Sequence, residues 1–265
     1  MRAVAQELAL KPPLKWAGGK RWQLPHLRSI WSSHGQKRLV EPFCGGLAVT
    51  LGLRPRRALL NDSNPYLIEF YRWLGRGLTI DVPMMNTADC YYAHRDRFNA
   101  LLAADRGQTR EAAALFYYLN RTGYNGLCRF NRQGEFNVPF GRYSRIPYQA
   151  DLTPYREVVE RWEFSHADFA DLPLEDSDFV YADPPYDVEF TQYETRGFTW
   201  DDQERAAMHF ARHRGPVILV NQATRRIAAL YRKLGYRLRY LQAPRRISCT
   251  GDRRPAREVL ATRNL

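Results

Sequence analysis

The sequence predicts an α/β fold whose mostly parallel sheet is interrupted by a helical insertion that carries a β-hairpin. Two observations support this prediction: strand-like and helical segments alternate towards both ends of the chain, and the segment 64–146 has a different, helical texture. Alternation of this kind is typical of parallel sheets connected by helices. With 265 residues, the chain can bury a full α/β core and hold one modest insertion. We therefore expect a discontinuous α/β domain, 1–63 with 147–265, and an inserted domain, 64–146.

Six short segments are predicted strands, because they are apolar or alternating and are bounded by turn residues. They are 38–42, 58–61, 162–165, 179–182, 217–221 and 237–242. Helical stretches lie between several of them, most clearly at 200–212 and 224–234.

The insertion is predicted to contain three helices followed by a hairpin. The helical segments are 66–74, 90–104 and 110–120. After them, 129–131 and 135–138 flank a short polar segment that ends in Gly134. A glycine at the turn between two strand-like segments is a hairpin signal.

The charge of the chain indicates a polyanionic partner. Forty basic residues against 28 acidic ones give a formal net charge of +12. The excess is mostly arginine, which binds phosphates and base edges through a planar fork of donors. Basic residues cluster in 120–145 and in 245–263. A solvated basic surface would explain either cluster, but the glycine, asparagine and aromatic residues among them favour nucleic acid.

Neither a membrane location nor a metal site is predicted. The four cysteines, Cys44, Cys90, Cys128 and Cys249, are far apart and show no zinc-ligand or disulfide spacing. The N-terminal segment lacks the apolar region of a signal peptide, and no run approaches the length of a membrane span. We therefore expect a cytoplasmic protein with reduced thiols.

The segment Asp183-Pro184-Pro185-Tyr186 directly follows the predicted strand 179–182. Open α/β sheets bind ligands at the carboxyl ends of their strands. The prolines end the strand, so the Asp183 carboxylate and the Pro184 carbonyl can both accept hydrogen bonds from one amine, while the Tyr186 ring can stack on a flat base. The alternative is a strand-ending turn whose acid caps the next helix.

Three segments in the first quarter of the chain are candidates for cofactor binding. Gly45 follows a strand and precedes a helix, where glycine allows close approach of a ligand. Asp62 ends the second strand, where an acid can accept hydrogen bonds from ribose hydroxyls. Trp16 and Lys20 flank a Gly-Gly pair. Two of these segments also have a simpler explanation: a tight turn at Gly45, and a buried Trp16 beside a surface Lys20.

Six motifs occur in a specific order along the chain. They are PLKWAGGK at 13–20, EPFCGG at 41–46, ND at 61–62, YLNRTGYNGLCR at 118–129, GEFNVPFGRY at 134–143 and DPPY at 183–186. Together they resemble the DNA adenine methylase family, the D12 class of N6-adenine-specific DNA methyltransferases, over nearly the whole chain. One departure is Leu47, where relatives often have a further glycine.

The resemblance implies a Rossmann-like, S-adenosylmethionine-dependent methyltransferase sheet of seven strands with an inserted helical target-recognition domain. It also implies methyl transfer from S-adenosylmethionine to N6 of a flipped-out adenine in double-stranded DNA, within GATC. The enzyme is expected to be a monomer in solution, without a metal ion.

The same resemblance implies the roles of individual residues. Catalysis is assigned to Asp183, Pro184 and Tyr186. Cofactor binding is assigned to Trp16, Lys20, Phe43, Gly45, Asp62, Asp168 and Asp183. DNA binding is assigned to Arg121, Tyr124, Asn125, Leu127, Arg129, Asn137, Pro139 and Arg142, with Arg129 contacting a guanine.

Other activities are weighed against this one. Cytosine C5 methylation is disfavoured because no Pro-Cys pair follows a strand. An N4-cytosine methylase would use a similar pocket, but usually with Ser or Asn in place of Asp183. An RNA methylase and a DNA-binding protein without activity stay open alternatives, and the hairpin arginines could hold phosphates without reading bases.

Overall fold

The computed structural model describes residues 10–187, 197–244 and 256–265, and within these ranges it contains a seven-stranded sheet. The strands are β1 (Leu39–Glu41), β2 (Ala58–Asn61), β3 (Glu163–Ser165), β4 (Phe179–Ala182), β5 (Val217–Gln222), β6 (Arg237–Ala243) and β7 (Ala256–Arg263). The prediction of an α/β fold is confirmed. Cys249 and the arginines Arg245, Arg246, Arg253 and Arg254 lie outside the described residues.

The strand order of the sheet is β3-β2-β1-β4-β5-β7-β6. β1 pairs in parallel with both β2 and β4, and β4 pairs in parallel with β5. β7 is antiparallel to its neighbours β5 and β6. The strand order reverses between β1 and β4, and open α/β sheets bind ligands at such a reversal, beyond the carboxyl ends of the strands. The fold therefore predicts a ligand site at the segments that follow β1 and β4.

Eight α-helices lie within the described ranges. They are α1 (Leu24–Trp31), α2 (Thr50–Leu53), α3 (Pro65–Gly75), α4 (Ala88–Ala103), α5 (Arg110–Thr122), α6 (Thr153–Val159), α7 (Trp200–Ala211) and α8 (Arg225–Lys233). Several begin at capping side chains: Asn64 caps α3, Thr199 and Asp202 form a capping box on α7, and Thr224 caps α8. None of the described helices is long and apolar enough to cross a membrane.

The chain divides into two compact units. The first comprises 10–21, Gly45–Arg54 and Asn64–Phe164 among the described residues. The second comprises Trp22–Cys44, Pro55–Ser63 and the described residues from Ser165 to Leu265. This division assigns 10–21 and Gly45–Arg54 to the same unit as the helical insertion. The boundaries of the functional domains, after residue 63 and before residue 147, stay a prediction.

The core of the second unit is built from strand residues and from the helices α7 and α8. Val40, Val180 and Leu219 are at most 1% exposed, and Phe210 and Ile227 pack into the same cluster. Parallel strands that are covered on both faces are apolar along their whole length, which explains why β1, β2 and β4 were predictable from short apolar runs.

The first unit is centred on α5, where the residues from Ala112 to Asn120 are all buried. Its aromatic side chains pack closely: the rings of Phe70 and Tyr117 are stacked with centroids 5.8 Å apart. The predicted hairpin (129–138) is present, although it is held by an isolated antiparallel bridge between Phe130 and Phe136.

Candidate functional site

In the second unit, one buried side chain joins the loops that follow three neighbouring strands. Asn61 Nδ2 donates hydrogen bonds to the carbonyl oxygens of Pro42 (3.0 Å) and Ala167 (3.1 Å), and Asn61 Oδ1 accepts one from the Ala167 N–H (2.9 Å). Asp62 follows directly, and its N–H donates to the Ser165 carbonyl at 3.4 Å. The loop after β2, which carries Asp62, is therefore fixed to the loops after β1 and β3.

Cys44 lies beside this acid but is not equipped as a nucleophile. Its N–H donates to the Asn61 carbonyl at 2.8 Å, and its side chain is buried. Burial, followed by the nearby Asp62 and Glu41 carboxylates, raises the pKa of the Cys44 thiol well above its usual value. Since the thiolate is the reactive form, this thiol stays protonated and inert.

An aromatic surface formed by Phe43, Phe169 and Phe198 lies next to the loop after β1. The Phe43 ring centroid is 5.4 Å from that of Phe169 and 5.6 Å from that of Phe198. The carboxylate of Asp168 adjoins this surface, and it accepts hydrogen bonds from Arg205 Nη1 (2.7 Å) and Nη2 (2.8 Å). The carboxylate of Asp168 is therefore paired with Arg205, and the hydrogen bonds from Arg205 lower the pKa of Asp168.

The segment 183–187, which carries the residues predicted to be catalytic and is called the catalytic loop for that reason, begins where β4 ends, at the reversal of the strand order. Asp183 and Tyr186 are half-buried and Pro184 is buried. Burial, then the charges of Asp183 and Glu258, raise the pKa of Tyr186. The Tyr186 phenol therefore stays neutral, and it presents an uncharged ring close to the Asp183 carboxylate.

A buried chain of polar side chains connects β4 and β7. The Tyr181 hydroxyl donates to Gln23 Oε1 at 3.0 Å, and Gln23 Nε2 donates to Glu258 Oε2 at 2.9 Å. Buried polar groups need hydrogen-bond partners, so Tyr181, Gln23 and Glu258 hold one another in place. None of these residues was predicted from the sequence to belong to the site.

The far end of the catalytic loop is held by an ion pair. The Asp187 carboxylate is buried and accepts hydrogen bonds from Arg226 Nε (2.7 Å) and from the Thr224 hydroxyl (3.1 Å). The Arg226 guanidinium in turn lies over the Trp200 ring, 4.6 Å from its centroid. The loop is therefore attached to the N-terminus of α8.

In the first unit, the glycines of the EPFCGG motif make room for Trp16. Gly45 has a φ of +45°, and a Cβ atom there would lie 2.6 Å from Trp16 Nε1. The Tyr71 hydroxyl donates to the Gly45 carbonyl at 2.8 Å. Lys20 is 4% exposed and donates to the Gly18 carbonyl at 2.5 Å. The simpler explanation of a surface lysine beside a buried tryptophan is wrong, since Lys20 is buried and Trp16 is half-buried.

Lys15 is hydrogen-bonded to the C-terminal end of α5, next to the loop that follows this helix. The Lys15 N–H donates to Asn120 Oδ1 and Asn120 Nδ2 donates to the Lys15 carbonyl, both at 2.8 Å. Lys15 Nζ donates to the Arg121 carbonyl at 3.0 Å and lies 3.6 Å from the centroid of the Tyr143 ring. Burial, then the charge of Arg121, lower the pKa of Lys15 to about 8. Sequence analysis did not assign a role to Lys15.

The residues predicted to contact DNA are mostly exposed on this loop and on the hairpin. Tyr124 is 49% exposed, and its N–H donates to the carbonyl of the exposed Pro139 at 2.9 Å. Asn125 is exposed, and its backbone is in the left-handed region with a φ of 52°. The exposed Arg129 donates from Nε to Asn137 Oδ1 at 2.8 Å.

The remaining predicted DNA contacts differ in their exposure. Arg142 is exposed and has a φ of 50°, whereas Leu127 is half-buried. Arg121 is also half-buried, and its Nη1 donates to the Pro13 carbonyl at 3.4 Å. Burial lowers the pKa of Arg121, which still leaves a guanidinium charged at neutral pH.

Comparison with known proteins decides the family. A profile for the D12 class N6 adenine-specific DNA methyltransferases matches residues 16–247. The chain is 38% identical to the DNA adenine methylase of Escherichia coli strain K12, over 94% of this chain and 93% of that protein. It is 35% identical to the Retron Ec67 DNA adenine methylase of Escherichia coli, over 94% of this chain and 90% of that protein. It is 36% identical to the DNA N-6-adenine-methyltransferase of Escherichia phage P1, over 91% of this chain and 33% of that protein. The chain belongs to the D12 class N6 adenine-specific DNA methyltransferase family.

Membership of the D12 class confirms the resemblance found in the sequence and makes adenine in DNA the methyl acceptor. The motifs located the exposed hairpin and the segment at the end of β4. They did not locate Gln23 or Asp187, whose contacts are formed over long distances along the chain. Asn61 lies in the motif ND at 61–62, but it was given no role of its own; the signal for one is a polar residue at the end of an apolar strand, directly before the acid Asp62.

A metal centre is not formed within the described part of this D12 methyltransferase. No group of three or more histidine, cysteine, aspartate or glutamate side chains in 10–187, 197–244 and 256–265 is arranged to hold a metal ion.

Proposed function

We propose that this protein transfers a methyl group from S-adenosylmethionine to N6 of a flipped-out adenine in double-stranded DNA, within the sequence GATC. Family membership supports adenine methylation of DNA. The observation that carries the assignment of the active site is the position of Asp183 and Pro184, directly after β4 at the reversal of the strand order. We further propose that the protein is a monomer in solution and acts in the cytoplasm.

The side chains of the second unit fit S-adenosylmethionine. Its ribose hydroxyls are donors that suit the half-buried Asp62 carboxylate at the end of β2, and its flat adenine suits the aromatic surface that includes Phe43. When bound, this cofactor supplies an electrophilic methyl group. We assign Asp168 and Asp183 to the same cofactor.

Three residues of the first unit are also assigned to the cofactor, namely Trp16, Lys20 and Gly45. Gly45 is in the left-handed conformation, and its lack of a Cβ atom lets the Trp16 ring lie against its backbone, which supports assigning Gly45 and Trp16 to the same ligand.

The chemistry assigned to the catalytic loop is electrostatic. The adenine N6 lone pair is delocalised into the ring and is a poor nucleophile. Hydrogen bonds from N6 to the Asp183 carboxylate and the Pro184 carbonyl would favour a tetrahedral nitrogen whose lone pair points at the methyl group. The neutral ring of Tyr186 would stack on the base after flipping. In this assignment the enzyme forms no covalent bond to the base.

The hairpin is proposed to read the DNA sequence. Arg129 would donate to O6 and N7 of the guanine beside the target adenine, which is a common specific contact in the major groove. Tyr124 and Asn125 would fill the space that the flipped base leaves, and Leu127 and Pro139 would contact thymine methyl groups. Asn137 orients Arg129, and the charges of Arg121 and Arg142 are assigned to the DNA backbone.

Methylation of defined duplexes tests the proposal. The purified protein is incubated with labelled S-adenosylmethionine and duplexes that contain GATC or one of its single-base-pair variants, and the nucleosides are identified by mass spectrometry. We expect N6-methyladenine from GATC and much less from duplexes altered at the G·C pair before the adenine. N4-methylcytosine, methylation of RNA alone, or cofactor binding without transfer would each contradict the proposal.

A further inference from the structure

Two buried amide side chains connect the catalytic loop to α7 and β5. Gln203 Nε2 donates to the Pro185 carbonyl at 2.7 Å, and Asn221 Nδ2 donates to Gln203 Oε1 at 2.9 Å. Asn221 Oδ1 then accepts a hydrogen bond from the Asp187 N–H at 3.2 Å. Gln203 is 2% exposed and Asn221 is not exposed at all. A buried amide that loses its hydrogen-bond partner costs free energy. Each of these hydrogen bonds therefore restricts the positions of the two groups that it joins.

The two loop groups that these amides hold lie on either side of one residue. The Pro185 carbonyl precedes Tyr186 and the Asp187 N–H follows it. Proline has no N–H, so neither Pro184 nor Pro185 can anchor the loop as a backbone donor. The Pro185 carbonyl and the Asp187 N–H, which flank Tyr186, are both held by this one amide pair.

The direction of each hydrogen bond is also fixed. Asn221 Oδ1 accepts from the N–H groups of both Asp187 and Gln222, so its amino group must face Gln203. Gln203 Oε1 is then the acceptor for Asn221, which turns the Gln203 amino group towards the Pro185 carbonyl. Rotation of either amide by 180° would set two oxygens or two amino groups against each other. The pair therefore supports one position of the loop.

We infer that Gln203 and Asn221 are positioning residues for Tyr186, which they hold in place for stacking on the target adenine. The inference rests on the proposed function, because it takes the role of Tyr186 from there. The ion pair between the Asp187 side chain and Arg226 holds the same end of the loop, in addition to the backbone hydrogen bond of Asp187. A displacement of about 1 Å at a reacting centre can lower a rate by about 10²-fold, so loss of this support affects the rate of transfer more than substrate binding.

The test compares Gln203→Met with a matched control, Gln36→Met, at an exposed position. Methionine keeps nearly the volume of glutamine but removes both hydrogen bonds. We expect Gln203→Met to lower kcat by about 10-fold or more, with KM for the cofactor and for GATC duplex within about twofold of wild type. Gln36→Met should match wild type. Tyr186→Ala and the double variant Tyr186→Ala with Gln203→Met complete a double-mutant cycle, in which the double variant should be no slower than Tyr186→Ala alone.

A second variant covers the case in which Gln203→Met does not fold, which thermal melting would show. In Asn221→Asp, one carboxylate oxygen still accepts from the Asp187 N–H, while the other forces the Gln203 amide to rotate and lose the Pro185 carbonyl. The same loss of kcat is expected.

Three outcomes would overturn the inference. An unchanged kcat in folded Gln203→Met and Asn221→Asp would remove the positioning role. Equal loss of kcat on the wild-type and Tyr186→Ala backgrounds would show that Gln203 acts independently of Tyr186. A wild-type protein that methylates no adenine duplex would overturn the proposed function and this inference with it, whereas the first two outcomes leave the proposed function standing.

Discussion

Arg129 and Asn137 are joined across the hairpin by two hydrogen bonds. Arg129 Nε donates to Asn137 Oδ1 at 2.8 Å, and Arg129 Nη2 donates to the Asn137 carbonyl at 3.2 Å. A long arginine side chain on an exposed hairpin would otherwise sample many rotamers, and ordering it on binding costs free energy. Asn137 therefore orients the Arg129 guanidinium before DNA is present.

Arg129→Ala should relax the choice of the guanine next to the target adenine. Losing a bidentate contact to a base costs about 1–3 kcal/mol of discrimination. Asn137→Ala should relax the same position by less, because the Asn137 backbone carbonyl still accepts from Arg129. The measurement is the methylation rate on duplexes varied at one base pair at a time, with Arg132→Ala at the exposed turn as the control. Unaltered preference for that guanine in Arg129→Ala would reduce the hairpin to a phosphate clamp.

Asp183→Ala should reduce methyl transfer by ~10²-fold or more, because one acceptor for the N6 hydrogens is lost. DNA binding and the fold should be largely retained. Single-turnover methylation checks the rate, and Asp176→Ala is the matched control, since Asp176 forms an exposed ion pair with Arg214. Near wild-type turnover in Asp183→Ala would refute the role given to the catalytic loop.

Asp62→Ala should weaken S-adenosylmethionine binding by about 1–3 kcal/mol, because hydrogen bonds from the ribose hydroxyls to a charged group are lost. Titration calorimetry measures this affinity. DNA affinity, measured on the same preparation, should not change. The assignment of Asp62 fails if the calorimetric affinity is the same as that of the wild type.

DNA binding should weaken as the pH rises through about 8, the lowered pKa of Lys15. Lys15 lies beside Arg121 at the C-terminal end of α5, and loss of its proton removes a positive charge that favours DNA. Binding of GATC duplex is measured by anisotropy between about pH 6.5 and about pH 9, a window that extends about one and a half units below this pKa and about one unit above it. Lys15→Met should bind more weakly at low pH and show a flatter profile, whereas the exposed control Lys11→Met should follow wild type. Parallel profiles for wild type and Lys15→Met would exclude Lys15 as the titrating group.

The same pKa has a defined effect on stability. Lys15 has a lower pKa in the folded protein than its ordinary value of 10.5, so between these values the unfolded chain binds more protons than the folded one. The Lys15 contribution to the free energy of unfolding therefore rises with pH across that window. Thermal melts check the sign: the stability of wild type relative to Lys15→Met should rise as the pH is raised from about 8 to about 10.

Local patterns predicted the strands that are buried on both faces. β1, β2, β4 and β5 are short apolar runs, and the structure places each within a residue or two of its predicted range. β7 was not predicted as a segment. Its buried centre, Val259 to Ala261, is flanked by arginines, so the pattern indicated a basic tail. α1 and α6 were also missed, and both are short, with 8 and 7 residues.

In the site, too, the residues that lie in local sequence patterns could be predicted and the others could not. Asp183, Arg129 and Gly45 lie in contiguous motifs, so their places could be predicted from the sequence. The residues that support them could not, because their partners are distant: Gln23 contacts Glu258 and Gln203 contacts Asn221 through side chains alone. Such pairs leave no periodicity in the sequence.

The central pairing of β1 with β4 has a consequence for synthesis on the ribosome. Leu39 pairs with Phe179, so the whole of Asn64–Phe164 is translated before β1 can pair with β4. Until then, β1 and β2 present an apolar edge with no strand to cover it, and such edges attract aggregation. The helices α3, α4 and α5, by contrast, follow one another closely in the chain. We therefore expect helical structure in the nascent chain first, and a sheet whose closure waits for the last hundred residues or so.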